Sequence, residues 1–401
     1  METKRLFDED VMQKSCTAEV LNCESYKDGY AIVLDQTVFF PEGGGQLSDT
    51  GTLSVGEKKI RVLHVHEKNG CVFHETKEPL EIGAQVTAEL DWTVRFDHMQ
   101  QHCGEHMLSY AFFKLFGAHN VGFHMTADMV GIDLDKEMTW EQALEAERFT
   151  NRQIQEDHAI ATKLVPAEEA AKMHLRKFND KLTGMLRIVS VEGSDSCTCC
   201  GTHPTSSGMV GLVKIFKVEK HKEGSRISFL CGREALERVE SYMLAALEAS
   251  NLLSIKETDL PEGVARLQQE KKEIGERLTE CTGKLLDYRL AEMQQHPETT
   301  QNGAKKFVFT EADMTPKEAK VLMKRLGEIP EAFAAIFYRS GERINYMFAA
   351  SEGCDLNCQQ VIRTVNEAFG GRGGGRPNSC QGSGAYEENW QEKAKNLMAG
   401  I

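Results

Sequence analysis

The sequence predicts an α+β protein of several domains, with a barrel-like β domain first, then a mixed α/β domain, a helical connector and a small α/β domain. Its 401 residues, 41% hydrophobic and 27% charged, suffice for two to four domains. Strand patterns fill residues 1–92, and helical spacing begins at residue 95. Residues 236–300 carry charges of both signs and few strand formers.

The N-terminal domain, residues 1–92, is predicted from segments rich in β-branched and aromatic residues. We expect strands at residues 30–40, 59–66 and 85–92. Turns that contain glycine separate these segments. A domain of short strands therefore precedes the first helix.

The central domain, residues 93–235, opens with apolar residues at helical spacing from residue 95 to Gly117, a residue suited to a helix end. A strand is expected at residues 129–134. Thr139 with Gln142 forms a capping-box pattern, which predicts a helix to about residue 157. Further strands are expected at residues 185–192 and 210–218, so this domain mixes α and β structure.

The connector, residues 236–300, has apolar residues spaced for a long amphipathic helix or a helical hairpin. The C-terminal domain, residues 301–401, has the pattern of a small α/β unit. Its expected elements are strands at 307–310, 332–338 and 344–349, a helix that opens at Thr315, and a helix at 387–398.

Composition excludes several classes of function. The net charge of -14 argues against indiscriminate nucleic-acid binding, which depends on Lys and Arg that displace counterions, so any RNA contact needs local basic patches. The twelve cysteines are scattered, which fits metal ligands or free thiols better than a disulfide framework. No segment approaches the roughly 18 apolar residues of a membrane span, and the N-terminus lacks a signal-peptide pattern. We expect a cytoplasmic protein without a membrane partner.

Two pairs of residues indicate a metal site. His102 and His106 stand four apart on the predicted helix, so both project from one face, about 5–6 Å apart at Cβ. Cys199 and His203 offer a thiolate and an imidazole across one glycine-containing turn. A His-His-Cys-His set suits tetrahedral zinc.

The same residues leave alternatives open. His102, Glu105 and His106 also match the inverted zinc-peptidase motif, in which the glutamate is the base and a distant carboxylate is the third ligand. His98 lies one turn earlier and could replace a histidine ligand. Cys200, beside Cys199, is a second candidate thiolate.

Two glycine-rich segments are candidates for ligand contacts. A predicted strand runs into Gly43, Gly44 and Gly45, where local chemistry favours a β-turn and the alternative is a loop whose backbone N–H groups approach a ligand. Near the C-terminus, Arg372 and Arg376 lie among glycines, and guanidinium groups suit phosphates or base planes. A helix pattern follows, so we predict an ordered loop there.

These motifs, in this order and over essentially the whole chain, resemble the long form of the AlaX family, free-standing relatives of the editing half of alanyl-tRNA synthetase. The resemblance rests on a glycine-rich motif at residues 40–46 with Asp49 and Gly51, a first zinc motif at 95–102 with His106, a second at 199–203, and a C-terminal signature at 373–378 with Gln381 and Gly382.

The resemblance implies one zinc ion per chain, held by His102, His106, Cys199 and His203. His102, Glu105 and His106 would be the catalytic residues. The N-terminal β domain would pack on this editing domain. The sequence leaves open whether zinc activates water or positions the substrate.

By the same resemblance, the substrate would contact Gly43, Gly44, Gly45, Gln46, Phe123, His124 and Thr202. The tRNA would contact Arg372, Arg376 and Asn378. The C-terminal domain would help to bind tRNA and could form a homodimer.

The expected reaction is hydrolysis of the ester that joins a wrong amino acid to the 3′-terminal ribose of a tRNA, expected to be the alanine tRNA, without ATP. Serine is larger than alanine, so a site that admits serine by size also admits alanine and must recognise the hydroxyl. We expect hydrolysis of serine, and of glycine as a second substrate. The alternatives are a zinc peptidase and a non-catalytic RNA-binding protein with a structural zinc.

Overall fold

The fold consists of two units, Met1–Ala249 and Ser250–Ile401. The computed structural model describes residues 2–178, 183–295, 298–312 and 314–401. The predicted domain ranges also include residues 1, 179–182, 296–297 and 313, which lie outside the described residues. Among the described helices, none is both long and apolar enough to cross a membrane.

The first unit combines a barrel, three further described sheets, the smallest of them the two-stranded pair of β1 and β4, and helices. Its strands are β1 (Lys4–Arg5), β2 (Ser15–Tyr26), β3 (Gly29–Leu34), β4 (Gln36–Thr37), β5 (Gly51–Val55), β6 (Lys58–Lys68), β7 (Cys71–Thr76), β8 (Gln85–Leu90), β9 (Asn120–Met125), β10 (Val130–Leu134), β11 (Ile160–Pro166), β12 (Met185–Val191), β13 (Ser196–Thr198), β14 (Val213–His221) and β15 (Gly224–Cys231). Its helices are α1 (Leu6–Glu9), α2 (Trp92–Phe116), α3 (Trp140–Gln155), α4 (Ala167–Ala170) and α5 (Gly232–Leu253), which begins here.

A closed barrel of order β2-β3-β7-β6-β5-β8 occupies the N-terminal part of this unit. Its strands alternate as half-buried strands do: in β8, Val86, Ala88 and Leu90 are buried and the residues between them are exposed. The inward side chains fill one apolar core. The barrel-like part of the predicted fold is thus present.

Helix α2 leaves the barrel and is the central element of the rest of the unit. It ends at Gly117, whose φ of 60° is the left-handed conformation that glycine adopts without a Cβ clash. Met107 and Phe112 pack with Ile132 and Phe229 of the sheet ordered β14-β15-β10-β9. Helix α2 is buried along most of its length, so it holds its polar residues inside the protein.

Helix α3 and a three-stranded sheet complete the first unit. Thr139 caps α3, and its side chain accepts a hydrogen bond from the backbone N–H of Gln142 in the expected capping box. The sheet has the order β11-β12-β13. Strand β13 leads directly into the segment that carries Cys199 and His203.

The second unit is a six-stranded sheet with helices. Its elements are α6 (Leu260–Gln295), β16 (Glu298–Thr299), β17 (Lys305–Glu311), α7 (Pro316–Gly327), β18 (Ala332–Ser340), β19 (Arg343–Ala350), α8 (Cys358–Ala368), β20 (Arg372–Arg376), β21 (Ser379–Ala385) and α9 (Trp390–Ala399). The strand order is β16-β17-β18-β19-β21-β20. Strands β17 and β18 run parallel, with α7 as the connection between them.

The mixed α/β, multidomain fold class with a barrel is therefore confirmed, whereas the four domain boundaries stay predictions. The range expected to be a helical connector, residues 236–300, contains most of α5, all of α6, β16 and a short 3₁₀ turn at Glu257–Asp259, and its role as a connector stays a prediction. The C-terminal glycine-rich segment is corrected from a loop to a strand, because Arg372–Arg376 pairs antiparallel with β21. The sequence analysis also did not predict β2, β9, β11 or α8.

Candidate functional site

Helix α2 presents His102 and His106 on one face, one turn apart, with their ring centroids 5.2 Å from each other. Both are buried, with 2% and 4% of their surface exposed. Two buried imidazoles on one helix face need polar partners, because burial without them costs free energy. The partners come from distant segments of the chain.

The turn after β13 brings Cys199 and His203 to these histidines. Cys199 Sγ lies 3.3 Å from His102 Nε2 and 3.3 Å from His203 Nε2. One ligand atom from each of His102, His106, Cys199 and His203 lies within 4.8 Å of all the others. The four residues expected to hold a metal thus form one cluster, and their nitrogen and sulfur atoms are the donors that zinc prefers.

Gln46 determines which nitrogen of His102 faces the cluster. The backbone N–H of Thr202 donates to Gln46 Oε1 at 2.9 Å, so the atom at that position must be the amide oxygen. The same oxygen lies 2.8 Å from His102 Nδ1, which must therefore carry the proton. His102 Nε2 then has its lone pair directed towards the cluster, as a metal ligand requires.

Asp195 and Arg176 support His106 from its other side. Asp195 Oδ2 lies 3.3 Å from His106 Nδ1, and Cys197 Sγ lies 3.2 Å from the same nitrogen. Arg176 donates to both Asp195 oxygens, at 2.7 and 2.8 Å. Burial works to raise the pKa of Asp195, but the hydrogen bonds from Arg176 and His106 outweigh it and hold the pKa below its usual range. Burial works to lower the pKa of His106, but the charge of Cys199 and the hydrogen bond to Asp195 outweigh it and raise that pKa well above its ordinary value, so a metal at Nε2 must replace a proton there.

Cys199 and His203 are in states that bind metal. Burial works to raise the pKa of Cys199, but the imidazoles of His102, His106 and His203 outweigh burial and hold it well below its ordinary value. Burial lowers the pKa of His203 to about 3. His203 Nδ1 is buried without a hydrogen-bond partner among the described residues, so this ring has bonding capacity left. A thiolate and a neutral imidazole suit a cation.

Glu105 places a buried carboxylate beside the cluster. Its Oε1 accepts hydrogen bonds from Ser109 Oγ at 2.7 Å and from Asn120 Nδ2 at 2.6 Å. Its Oε2 lies 3.7 Å from His106 Nε2. One oxygen is thus fixed by hydrogen bonds, and the other lies beside His106.

A cavity of about 970 Å³ opens at this cluster. Its lining combines the four donors with the Glu105 carboxylate, apolar side chains and basic side chains. The lining residues include His102, His106, Cys199, His203, Glu105, Asn120, Phe40, Phe123, Leu186, Arg176, Lys177 and Arg187. The size lies at the upper end of the range for small-molecule sites, roughly 300–1,000 Å³. The cavity therefore has room for a substrate much larger than an amino acid.

The glycine motif forms the expected tight turn. Gly43 and Gln46 exchange backbone hydrogen bonds, and the two residues between them have φ values of 62° and 86°. A Cβ on Gly45 would lie 2.4 Å from Phe123 Cδ1, so only glycine lets this ring approach. Gly43 and Gly44 line the cavity with Phe123.

Some expected site residues lie elsewhere. Gln46 and Thr202 are buried behind His102, where they bond to each other, and they are not in the cavity lining. The expected position of His124 in the pocket is corrected: it bonds to Asp133 at 3.0 Å, because neighbouring residues of β9 point to opposite faces and Phe123 takes the cavity side. Cys200 is exposed, while Cys199 is the cysteine in the cluster.

The residues expected to contact tRNA lie in the second unit. Arg372 and Arg376 begin and end β20, the edge strand of the sheet, and all five of its residues are exposed. Asn378 is exposed in the turn that joins β20 to β21. These side chains are therefore accessible to a partner.

Four residues around the cluster were not predicted from the sequence: Asp195, Arg176, Ser109 and Asn120. Asp195, four residues before Cys199, could have been considered, because a ligating histidine commonly donates to a carboxylate. For Arg176 the sequence holds no comparable signal. The positions of Ser109 and Asn120 depend on how β9 returns along α2.

Three family models match the chain. Residues 7–94 match the tRNA synthetases class II (A), residues 186–227 match the threonyl and alanyl tRNA synthetase second additional domain, and residues 303–399 match the DHHA1 domain. The first covers the barrel, the second covers the turn with Cys199 and His203, and the third covers the sheet of the second unit from β17 onwards.

Among known proteins, the chain is similar to the alanine–tRNA ligase of Pyrococcus abyssi, with 30% identity over 95% of this chain and 42% of the ligase. It thus spans about two fifths of that relative. It is 28% identical to the alanyl-tRNA editing protein AlaX-L of Pyrococcus horikoshii over 94% of both chains. It is 34% identical to the alanyl-tRNA editing protein Aarsd1 of Rattus norvegicus over 61% of this chain and 59% of that protein.

Proposed function

Because this chain belongs to the long-form AlaX family, relatives of alanyl-tRNA synthetase, we propose that it edits mischarged alanine tRNA. It hydrolyses the ester between a wrong amino acid and the 3′-terminal ribose. Serine is the proposed main substrate and glycine the second. Two relatives named alanyl-tRNA editing proteins, AlaX-L and Aarsd1, support the class of reaction.

The observation that carries the proposal is the cluster of His102, His106, Cys199 and His203 at the wall of a cavity that Glu105 also lines. A metal-binding donor set and a carboxylate in one cavity are the groups that metal-assisted hydrolysis uses. We propose that the four residues hold one zinc ion per chain. Bound there, zinc supplies Lewis-acid stabilisation of negative charge and a fixed point for orienting the ester.

Glu105 is the proposed general base. Ser109 and Asn120 hold its Oε1, which leaves Oε2 to take a proton from the attacking water. The pair of hydrogen bonds fixes the carboxylate plane, so the base needs little reorganisation during the reaction. The proton then passes to the 3′-terminal ribose oxygen as the ester bond breaks, because the leaving alkoxide is the stronger base.

The walls of the cavity fit the two ends of an aminoacyl ester. Phe123 offers an aromatic face beside His102, with the ring centroids 5.3 Å apart. Gly43 and Gly44 offer backbone that lacks side chains, which a ribose or a carbonyl group can approach closely. Lys177, exposed at the lining, offers a positive charge to the terminal phosphate.

Rejection of alanine is the harder part of the reaction. A cavity of this size admits alanine as readily as serine, so discrimination must come from a polar group that only the serine hydroxyl satisfies. Sites built to bind a substrate hydroxyl reject the analogue without it by as much as about 10⁴–10⁵-fold. We therefore propose that the enzyme spares correctly charged alanine tRNA.

The body of the tRNA is proposed to contact Arg372, Arg376 and Asn378. All three are exposed around the edge strand β20, where guanidinium groups can reach phosphates. A homodimer through the C-terminal domain is a further part of the proposal, and sedimentation of the purified chain would test it.

The two alternative functions have less support. A zinc peptidase of inverted motif needs a distant carboxylate as third ligand, whereas the donors beside His102 and His106 are Cys199 and His203. A non-catalytic RNA-binding protein with a structural zinc is favoured by a closed set of four protein donors. The cavity and the fixed Glu105 carboxylate argue against that alternative.

The test measures ester loss from alanine tRNA charged with serine, glycine or alanine, and from serine-charged threonine tRNA. Wild type is compared with Glu105→Gln, which keeps the size of the side chain but cannot accept the proton. We expect rapid loss of serine, survival of alanine, and a variant slower by about 10²–10⁴-fold.

The zinc content of Glu105→Gln is the control, and we expect it to equal that of wild type because Glu105 is not among the four donors. Equal rates for serine and alanine would overturn the specificity. Intact tRNA binding with no ester loss from any substrate would favour the RNA-binding alternative.

A further inference from the structure

A second cluster of metal-binding side chains lies on the outer face of the barrel. His64 and His66 are two residues apart on β6, and His64 is paired directly with Glu75 of β7. Residues two apart on a strand share a face, so all three side chains project together. They are only partly buried, with 37%, 26% and 16% of the side chain exposed. The cluster is therefore open to ions from solvent.

The donor atoms of this cluster converge on one point. His64 Nδ1 lies 3.1 Å from Glu75 Oε1, and His66 Nδ1 lies 3.0 Å from the same oxygen. One ligand atom from each of the three residues lies within 4.8 Å of the others. Two ligands on one tetrahedral zinc ion, each at roughly 2.0–2.2 Å, are about 3.3 Å apart. The spacing is thus close to that of a metal's coordination sphere.

A second carboxylate lies at the other ring nitrogen of His64. Glu42 Oε2 lies 2.8 Å from His64 Nε2 and accepts its proton. Nδ1 faces the Glu75 carboxylate, which can only accept a hydrogen bond, so a bound metal would replace a proton on Nδ1 while Nε2 keeps its bond to Glu42. A histidine ligand that donates its other N–H to a carboxylate is the usual arrangement at metal sites.

The rings are also held in place. His66 stacks on Phe73 with centroids 5.1 Å apart and an interplanar angle of 5°, and it packs against Tyr26 at 5.3 Å. Side chains that are already ordered lose less conformational freedom when they bind a ligand.

From this geometry we propose that His64, His66 and Glu75 form a second divalent-metal site, with no donor in common with the proposed editing site. Two imidazoles and one carboxylate suit zinc, nickel or copper ions, whereas magnesium and calcium prefer oxygen donors. Three protein donors leave the remaining coordination positions to water. The site binds more weakly than the buried cluster, because it offers no thiolate and stays partly hydrated.

Lys27 is the natural competitor of the metal. Its Nζ lies 3.3 Å from Glu75 Oε2, and its side chain is 62% exposed. The ammonium group neutralises the carboxylate when the site is empty and can swing into solvent when a cation arrives. If the cluster binds a metal, removal of this positive charge should strengthen metal binding. If Lys27 and Glu75 form only an ordinary surface ion pair, no such effect is expected.

Glu42 gives the site a connection to the cavity. It immediately precedes the glycine turn and lines the cavity, while its carboxylate holds His64. A metal that fixes His64 also fixes Glu42 and keeps that carboxylate at the barrel side. The proposed ion therefore has a structural role at the cavity wall.

The test counts zinc ions bound per chain by equilibrium dialysis against buffered micromolar zinc, followed by elemental analysis. We expect two ions in wild type and one in His66→Gln. Loss of a residue that only hydrogen-bonds to a metal ligand lowers metal affinity by roughly 10–100-fold, and loss of the proposed ligand His66 should lower the affinity of the second site by more than that. Lys27→Gln should bind the second ion about 5-fold more tightly, since a nearby positive charge is removed.

His158→Gln is the matched control, because His158 forms an ordinary pair with Glu156 at 2.9 Å on the surface. It should keep both ions. An unfolding temperature of His66→Gln equal to that of wild type would show that the variant is folded, so that its loss of the second ion is due to the missing imidazole. One ion in wild type, or two ions in both His66→Gln and His64→Gln, would overturn the proposal.

Discussion

Gln46 and His102, far apart in the sequence, are joined by a 2.8 Å hydrogen bond from His102 Nδ1 to Gln46 Oε1. The same oxygen accepts from the backbone N–H of Thr202, so a barrel residue links both halves of the donor cluster. Gly201 allows this approach, because a Cβ there would lie 2.1 Å from His102 Cε1. The glycine motif thus supports the proposed metal ligands from behind.

Gln46→Ala should lower zinc affinity by about 10–100-fold, because His102 loses the partner that fixes its tautomer. Gln46→Glu keeps an acceptor for both N–H groups and should retain most of the affinity. Competition with a chromophoric chelator measures the two constants. Wild-type affinity in Gln46→Ala would show that the hydrogen bond does not orient the ligand.

Asp195→Ala should weaken zinc binding by a similar factor, because His106 loses its ionised acceptor. It should also lower the free energy of unfolding by about 3–5 kcal/mol, because Arg176 is left buried without its partner. Denaturant titration and chelator competition report the two effects separately.

The double variant Asp195→Ala/Arg176→Met separates positioning from stability. Removal of both charges should recover much of the unfolding free energy. Zinc affinity should stay low, because His106 still lacks its acceptor. Recovery of both quantities together would mean that Asp195 acts only through stability.

Gly45→Ala should disturb the cavity wall, whereas Gly44→Ala should not. Both glycines have positive φ, so each alanine costs roughly 1–2 kcal/mol of backbone strain. Only the Cβ at position 45 meets Phe123, while a Cβ at position 44 has no atom within 4 Å. We expect Gly45→Ala to melt lower and to deacylate more slowly than Gly44→Ala. Equal behaviour in both assays would contradict the role given to this contact.

His74 should make the barrel sensitive to mild acid. Burial lowers its pKa from 6.5 to about 4, against the opposing hydrogen bond to the Ile32 carbonyl. A depressed folded pKa means that the stability is present above about pH 6.5 and is lost as the pH falls towards 4. Between pH 7 and pH 5 the loss should be about 2 kcal/mol.

Denaturant titration at both pH values tests this, with His74→Gln as the variant and His119→Gln, an exposed histidine, as the control. The loss should shrink in the first variant and persist in the second. The same pH dependence in all three proteins would assign the effect to other groups.

Those features of the fold and of the candidate site that depend on residue type and local spacing could be predicted from the sequence. His102 and His106 are one helical turn apart, and Cys199 and His203 share one turn, so each pair could be found without the fold. The capping box of Thr139 is local in the same way.

Contacts between distant segments could not be predicted. The pairing of Gln46 with His102 requires the barrel to pack on α2, and that of Arg176 with Asp195 joins residues on the two sides of β12. His124 shows a different error: β9 is a strand, so Phe123 and His124 could not both face the cavity. Recognition of that strand in the sequence would have excluded one of them.

The most direct test of the central claim is single-turnover loss of serine from alanine tRNA by wild type, by metal-stripped protein and by the same protein after zinc is restored. Cys199→Ala, which removes the only thiolate of the proposed ligand set, is assayed alongside. We predict that stripping abolishes hydrolysis, that zinc restores it in wild type, and that Cys199→Ala stays inactive with alanine-charged tRNA intact throughout. Full activity in the stripped protein, with its folded state verified, would contradict the account.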